Sequence, residues 1–187
     1  MEKRRPVLYE KKGEIIMKVW VRNLTKDKDF SIELPMDERE LDKTIHPNDE
    51  YIIIDCEILN VGEYDSIDEL NEFLFNCKEN GISLTDLEIL SKIMYYKEVI
   101  DAVKNETYII VDFDGETMEW NCGTGGDITN DYDKGLCVYK YGYYNPFDFE
   151  MTDDIHDWID WQSVWINANT EGWQTVSING HGYLVHR

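Results

Sequence analysis

The sequence predicts an α+β protein built as three small domains in a row. Three observations carry this. Short alternating and β-branched runs fill residues 17–58, helical periodicity takes over from 66 to 105, and strand-like and aromatic segments return from Thr107. A basic extension, 1–16, precedes a first α/β domain over 17–62. A helical domain follows over 63–106, and a second α/β domain over 107–187.

In "MKVWVRNL" (17–24), Val19 and Val21 alternate with Trp20 and Arg22, the period-two pattern of a half-buried strand. "FSIELP" (30–35) places Phe30, Ile32 and Leu34 on one face, and with "DKDF" between them the two strands form a hairpin. "MDERELDKTI" (36–45) is a short helix and "EYIIIDCEI" (50–58) a β-branched strand. "SIDELNEFLFNCKENG" (66–81) opens on Ser66 with Glu69 three residues on, a capping box. Ile67, Leu70, Phe73 and Leu74 then recur at helical spacing, and Gly81 is a C-terminal stop. Thr85 with Glu88 repeats the device for a helix over 85–105, with a break near Tyr95–Lys97. "TYIIVDFDG" (107–115) is a strand, and "LCVYKYGYY" (136–144) fits helix or strand. "DDIHDWIDWQ" (153–162) starts a helix, and "WQTVSINGHGYLVHR" (173–187) a hairpin turning at Asn179–Gly180.

Charge dominates the composition. The chain has 187 residues, 39 acidic and 18 basic, for a net charge of -21. Residues 1–22 hold seven of the bases and three of the acids, so the remaining 165 carry 36 acids against 11 bases. Three windows contain no Lys or Arg: nine acids lie between Lys43 and Lys78, eight between Lys104 and Lys134, and seven between Lys140 and Arg187. Like charges within a Debye length, ~8 Å at physiological salt, repel one another. Such a surface excludes nucleic acid as a direct partner and favours basic ones: cations, polyamines, or the positive groove of a nucleic-acid-binding protein. No run of 18 apolar residues occurs, so no membrane span is expected. The N-terminus lacks the apolar core of a secretory signal. Cys56, Cys77, Cys122 and Cys137 form no CxxC pair or zinc spacing and fit free thiols of a reducing cytoplasm.

The motifs offer little chemistry. As a helix, 153–162 would gather Asp153, Asp157 and Asp160 within about 60°, with Ile155, Trp158 and Ile159 opposite. His156 would pair with Asp160 at i+4. That is an amphipathic helix with a solvated acidic face, not a pocket. "VDFDGETMEW" (111–120) fails the spacing of a calcium loop counted from Asp112, as does the register from Asp127. "GTGGD" (123–127) lacks the lysine of a phosphate loop and is better read as a turn. Neither the serines nor His46, His156, His181 and His186 stand in a catalytic spacing.

The charge itself remains. Each strand of duplex DNA carries one negative charge per ~3.4 Å of axis. Helical carboxylates three or four residues apart are ~4.5–6 Å apart along the axis. With strand-borne acids such as Asp55 and Glu57 added, such a ridge approaches the density of a phosphate backbone. Acidity for solubility alone is the plainer alternative, but it would not require three long base-free windows.

The stretch 30–74 resembles the ArdA family of antirestriction proteins. Asn23–Leu24 match the end of that family's first strand, Leu34, Pro35 and Ile45 its next segment, and Asp49 to Glu57 its "dEY.i.D.E" pattern. Tyr64, Ser66, Ile67, Glu69, Leu70 and Asn71 match "Y.si.ELN". "DWIDWQ" (157–162) and "NGHGYL" (179–184) are similar to its C-terminal segments. The resemblance covers most of 17–75 and about 150–185, while 85–150 follows its own pattern. It implies an elongated, three-domain homodimer joined through its C-terminal domain. Such a protein mimics bent B-form DNA in the groove of type I restriction-modification enzymes, without catalysis or cofactor, in the cytoplasm of a host entered by a mobile element.

The expected phosphate surrogates are Asp49, Glu50, Asp55, Glu57, Glu63, Asp65, Asp68, Glu69 and Glu72, with Asp153, Asp154, Asp157 and Asp160 as a second group. Two other classes compete. One is an acidic module that inhibits or chaperones a different basic protein, which a pull-down would separate. The other is a metal-dependent hydrolase using Asp112, Asp114 or Asp153, which would bind a divalent metal tightly and stoichiometrically.

Overall fold

The computed structural model describes residues 15–118, 120, 125–147 and 156–187. Seven helices and two three-stranded antiparallel sheets appear among them, so the chain is α+β as the sequence predicts. The chain divides into two compact units, one ending at Leu87 and one beginning at Glu88. This division falls inside the 63–106 stretch read from the sequence as one helical domain.

The first unit contains β1 (Met17–Asn23), β2 (Lys28–Leu34), α1 (Glu38–Thr44), β3 (Tyr51–Cys56) and α2 (Ile67–Glu79). β1 is the central strand, between β2 and β3. Its alternation works as the sequence suggests: Met17, Val19 and Val21 are buried with Ile32, Leu34 and Ile53, while Lys18 and Arg22 face water and Trp20 is half-buried. The register between β1 and β3 shifts at Trp20/Val21, so Trp20 opposes Asp55 and Val21 opposes Ile53. Ile54 is thus the extra residue of a bulge, and it is 48% exposed. Asp37 caps α1, accepting from the backbone N–H of Arg39, and Ser66 caps α2, accepting from Glu69 N–H. The α2 face Ile67, Leu70, Phe73, Leu74 and Cys77 is buried. Beside it, the Asn71 amide accepts from Met36 N–H at 2.8 Å and donates to Met36 C=O at 3.0 Å, tying α2 to the end of β2.

Helix α3 (Leu84–Ser91) spans the division between the units. Its capping box corrects the sequence reading. Ser83 and Asp86 exchange bonds, Ser83 N–H to the Asp86 carboxylate at 2.9 Å and Asp86 N–H to Ser83 Oγ at 3.0 Å, in place of Thr85 and Glu88. The helix ends at Ser91, and α4 (Tyr96–Asn105) begins where the sequence placed only a break. Glu98 accepts from Tyr95 N–H at 2.9 Å and sets that start.

The second unit adds β4 (Ile109–Asp112), α5 (Phe113–Thr117), α6 (Asp131–Tyr141), α7 (Trp161–Thr170), β5 (Gln174–Ile178) and β6 (His181–His186), with β6 central in its sheet. The strand expected over 107–115 stops at Asp112, because the Asp112 carboxylate accepts from Gly115 N–H and caps α5. The undecided "LCVYKYGYY" stretch is mostly helix, within α6. The hairpin turn lies where expected: Asn179 and Gly180 have φ of 53° and 83°, the two left-handed residues of a type I′ turn. The core gathers Trp161, Trp165 and Trp173 with Val111, Phe113, Leu136, Val138, Val164 and Leu184.

The helix expected to start within 153–162 does not run as predicted. Residues 148–155 lie outside the described residues, Asp157 and Trp158 form a turn, and α7 begins only at Trp161, with Asp160 as its N-cap. His156 lies 3.7 Å from Asp157 rather than pairing with Asp160. Trp158, expected on an apolar face, is 86% exposed, whereas Trp161 is fully buried. Capping decides this: Asp160 accepts from Ser163 N–H at 3.2 Å and from Ser163 Oγ at 2.6 Å, which fixes the first helical residue locally.

Helix α6 packs against α7 at Gly135. A Cβ added there would lie 1.8 Å from the carbonyl oxygen of Trp161, so the contact admits only glycine. Gly135→Ala is expected to destabilise the protein by about 3 kcal/mol, the upper range for forcing volume into a packed core. Denaturant unfolding checks this; an unchanged midpoint would mean the helices are not in this contact.

Candidate partner interface

The nine acids of the first base-free window lie in the first unit and do two kinds of work. Asp55 is exposed on β3, opposite Trp20. Glu57 follows the strand and is exposed, its carboxylate accepting from Lys18 N–H at 3.1 Å. Glu63 is exposed, and its carbonyl accepts from Ile53 N–H at 3.0 Å, which lays the loop against β3. Asp68, Glu69 and Glu72 are exposed on α2, opposite the face that packs. Asp68 and Glu69 stand in its first turn, where the helix dipole favours negative charge. Asp68 and Glu72 are one turn apart, ~6 Å along the axis. Glu50 is exposed just before β3.

Asp49 and Asp65 are held within the fold. The Asp49 side chain is only 10% exposed. It accepts from Lys26 Nζ at 2.6 Å, from the Asn23 amide at 2.9 Å and from the Tyr51 hydroxyl at 3.2 Å. Bonding from Lys26 first, then Asn23, holds its carboxyl below the usual carboxylate range. Asp49 therefore ties the β1–β2 turn to the start of β3. Asp65 is half-buried, and its carboxylate accepts from Gly62 N–H at 2.8 Å.

In the second group, Asp153 and Asp154 lie outside the described residues. Asp157 is exposed, its side chain 91% in solvent. Asp160 is exposed but works as a helix cap, and the Ser163 hydroxyl and then its N–H lower its carboxyl. Asp157 and Asp160 do not share a helix face, so the expected single ridge is absent at these two residues.

Sequence reasoning missed further exposed acids in the first unit. Asp29 and Glu33 face water from β2, and Glu38, Glu40 and Asp42 from α1. The β2 pair was legible, since both alternate with Phe30, Ile32 and Leu34. Residues 15–87 carry 18 acids against seven bases, and two of those bases are already engaged. Arg22 makes a two-pronged pair with Asp29 at 2.6 and 2.8 Å, and Lys26 holds Asp49.

In the second unit, Asp112 and Asp114, singled out from the sequence, are tied into the fold. Asp112 caps α5 and meets His181 Nε2, and Asp114 accepts from Gly182 N–H at 2.7 Å. Both thus brace the hairpin against α5. Among the described residues, no group of three His, Cys, Asp or Glu side chains could hold a metal ion. Cys56, Cys77 and Cys137 are free thiols. Burial pushes the Cys77 thiol up to about 12. Burial, then the nearby Glu116 and Asp112, push that of Cys137 up as well, so neither supplies a thiolate at neutral pH. No helix among the described residues is long and apolar enough to cross a membrane. No protein-family model matches the sequence, and no curated protein matches it.

Because the Asp49 carboxyl is lowered in the fold, its contribution is fully present above its unfolded value, about pH 4, and is lost as pH falls through the lower folded value. Asp49→Ala should therefore lower the unfolding midpoint at pH 7, with the gap closing on acidification below about pH 4. Glu50→Ala, at its exposed neighbour, should leave the midpoint unchanged. Equal midpoints for the two variants at pH 7 would remove the tie assigned to Asp49.

Unpaired surface acids repel and salt screens them. Added sodium chloride is expected to raise the melting temperature, as read by circular dichroism. A falling value would show that attraction between paired charges outweighs the repulsion.

Proposed function

We propose that this protein is a DNA-mimic antirestriction protein that occupies the DNA-binding groove of a type I restriction-modification enzyme. The observation that carries the reading is the outward placement of Glu50, Asp55, Glu57, Glu63, Asp68, Glu69 and Glu72 within a single window that contains no Lys or Arg. Strand, loop and helix each contribute to this series. A positive groove evolved for phosphates gains from such acids what it gains from DNA, by releasing condensed ions. The resemblance of 30–74 to the ArdA family supports the choice of partner and suggests a homodimer acting in the cytoplasm. No reaction is required: the protein inhibits by occupying the groove.

A surface of this kind spreads its energy. One exposed charge contributes up to about 1 kcal/mol, so neutralising Glu63 alone should weaken inhibition by less than about fivefold. Replacing Asp55, Glu57, Asp68, Glu69 and Glu72 together by their amides should weaken it by at least about 100-fold while the circular dichroism spectrum is kept. The readout is protection of unmodified DNA from a purified type I enzyme. A folded five-residue variant that still protects DNA would overturn the proposal. A pull-down that captures only other basic proteins would point to a different target of the same surface.

A further inference from the structure

The acids do not lie on a uniformly polar surface. On the outer face of the first sheet is a groove of about 520 Å³ lined by Trp20, Asp29, Phe30, Ser31, Ile54 and Asp55. Its two charged lining residues are both acids. Trp20 is at the centre of this face, with Ser31 opposite it on β2 and Asp55 opposite it on β3. The bulge turns Ile54 out beside Asp55. Asp29 is engaged by Arg22, whereas Asp55 is exposed and makes no ion pair among the described residues. A cation already uses the ring: Lys18 Nζ lies 5.3 Å from the Trp20 ring centroid.

We propose that this groove is an arginine-reading subsite, in which a guanidinium from a basic protein partner stacks on Trp20 and meets the Asp55 carboxylate. The inference rests on the reading of the acidic surface as a docking face for a basic protein. Chemistry selects arginine over lysine. A guanidinium is planar, so it stacks on an indole face while its edge offers paired N–H donors to a carboxylate. A lysine ammonium can reach a ring and an acid together, as Lys134 does with Trp165 and Asp131, but it is a strongly hydrated point charge with no flat face to stack and no paired donors, so it gains less from the same site. Cross-strand neighbours have Cβ atoms ~4.5–5.5 Å apart, which suits one guanidinium bridging ring and acid. The exposed acids elsewhere attract any cation in proportion to its charge. This groove adds an aromatic surface to a carboxylate, so it supplies discrimination that a ridge of carboxylates lacks.

The test uses the full chain and two peptides of equal length and charge, one bearing arginines spaced by glycine and serine, the other lysines at the same positions. Calorimetric titration should show the arginine peptide binding about fivefold more tightly, an increment typical of a partly exposed cation–π contact. Trp20→Leu should bring the ratio to about one without changing the affinity for the lysine peptide or the slope of affinity against salt. Should that variant fail to fold, Ile54→Arg, at an exposed position, supplies a competing guanidinium in place and should likewise abolish the ratio. Equal affinities for the two peptides, or a ratio that survives both substitutions, would overturn the proposal. So would a shift from associated to monomeric protein in Ile54→Arg, which would make a second copy the occupant. The peptide ratio is read without any restriction enzyme. A ratio of one with DNA protection intact would sink the subsite alone, and loss of protection with the ratio intact would sink the functional reading alone.

Discussion

The constraint behind the rest of the structure is self-repulsion. A chain with 39 acids and 18 bases folds only if its carboxylates stay hydrated and apart while its apolar side chains leave water. Two-sided elements meet both demands. Strands β1 and β2 and helix α2 each bury one face and expose the other, so the pattern that builds the core also sorts the charge outward. The acidic surface is therefore a consequence of the same periodicity that makes the fold.

The few cations show how narrowly this balance is kept. Arg22 and Lys26 each neutralise one carboxylate of the first unit. In the second unit, Lys134 pairs with Asp131 at 2.7 Å and lies over the Trp165 ring at 4.7 Å, and Lys140 lies over Trp120 at 5.2 Å. Bases here act as local ties between neighbouring elements, often with an aromatic ring as second contact. What remains outside these ties is mostly acid, and the surface potential follows from that remainder.

Much of the fold was legible because the core-facing residues repeat at strand or helix spacing. Met17, Val19, Val21, Ile32 and Leu34 gave the first hairpin, and Asn179–Gly180 the last. Readings failed where a single side-chain bond outvoted periodicity. Asp160 and Ser163 start α7 afresh at Trp161, after a turn at Asp157 and Trp158 where the spacing suggests continuous helix, Asp112 turns a strand into α5, and Ser83 with Asp86 displaces the cap read at Thr85. The candidate surface was legible as composition, since all nine acids of the first window lie in the first unit. Their division of labour was not. Asp49 differs from Glu50 through partners 23 and 26 residues upstream and two downstream, and no local spacing reports that. Nor could the sequence reveal the groove at Trp20, which exists because a register shift between β1 and β3 places Ile54 and Asp55 on the same side.

That division bears on how such a protein could change. Acids that hold a turn or a cap, such as Asp49, Asp65 and Asp160, are each irreplaceable locally and contribute to the field only incidentally. Acids such as Glu50, Glu63 and Glu72 hold nothing in the fold, so any one of them can be lost or moved a residue along the surface at little cost. A surface composed mostly of the second kind keeps its total charge while its sequence drifts. Positions set by packing and capping, by contrast, must stay. The chain would then be recognisable through Asn71, Ser66 and the alternating core rather than through the carboxylates that a partner meets. The Trp20 groove is the exception on that exposed face, since an aromatic ring beside a carboxylate depends on one register and cannot be shifted by a residue without turning it into the core.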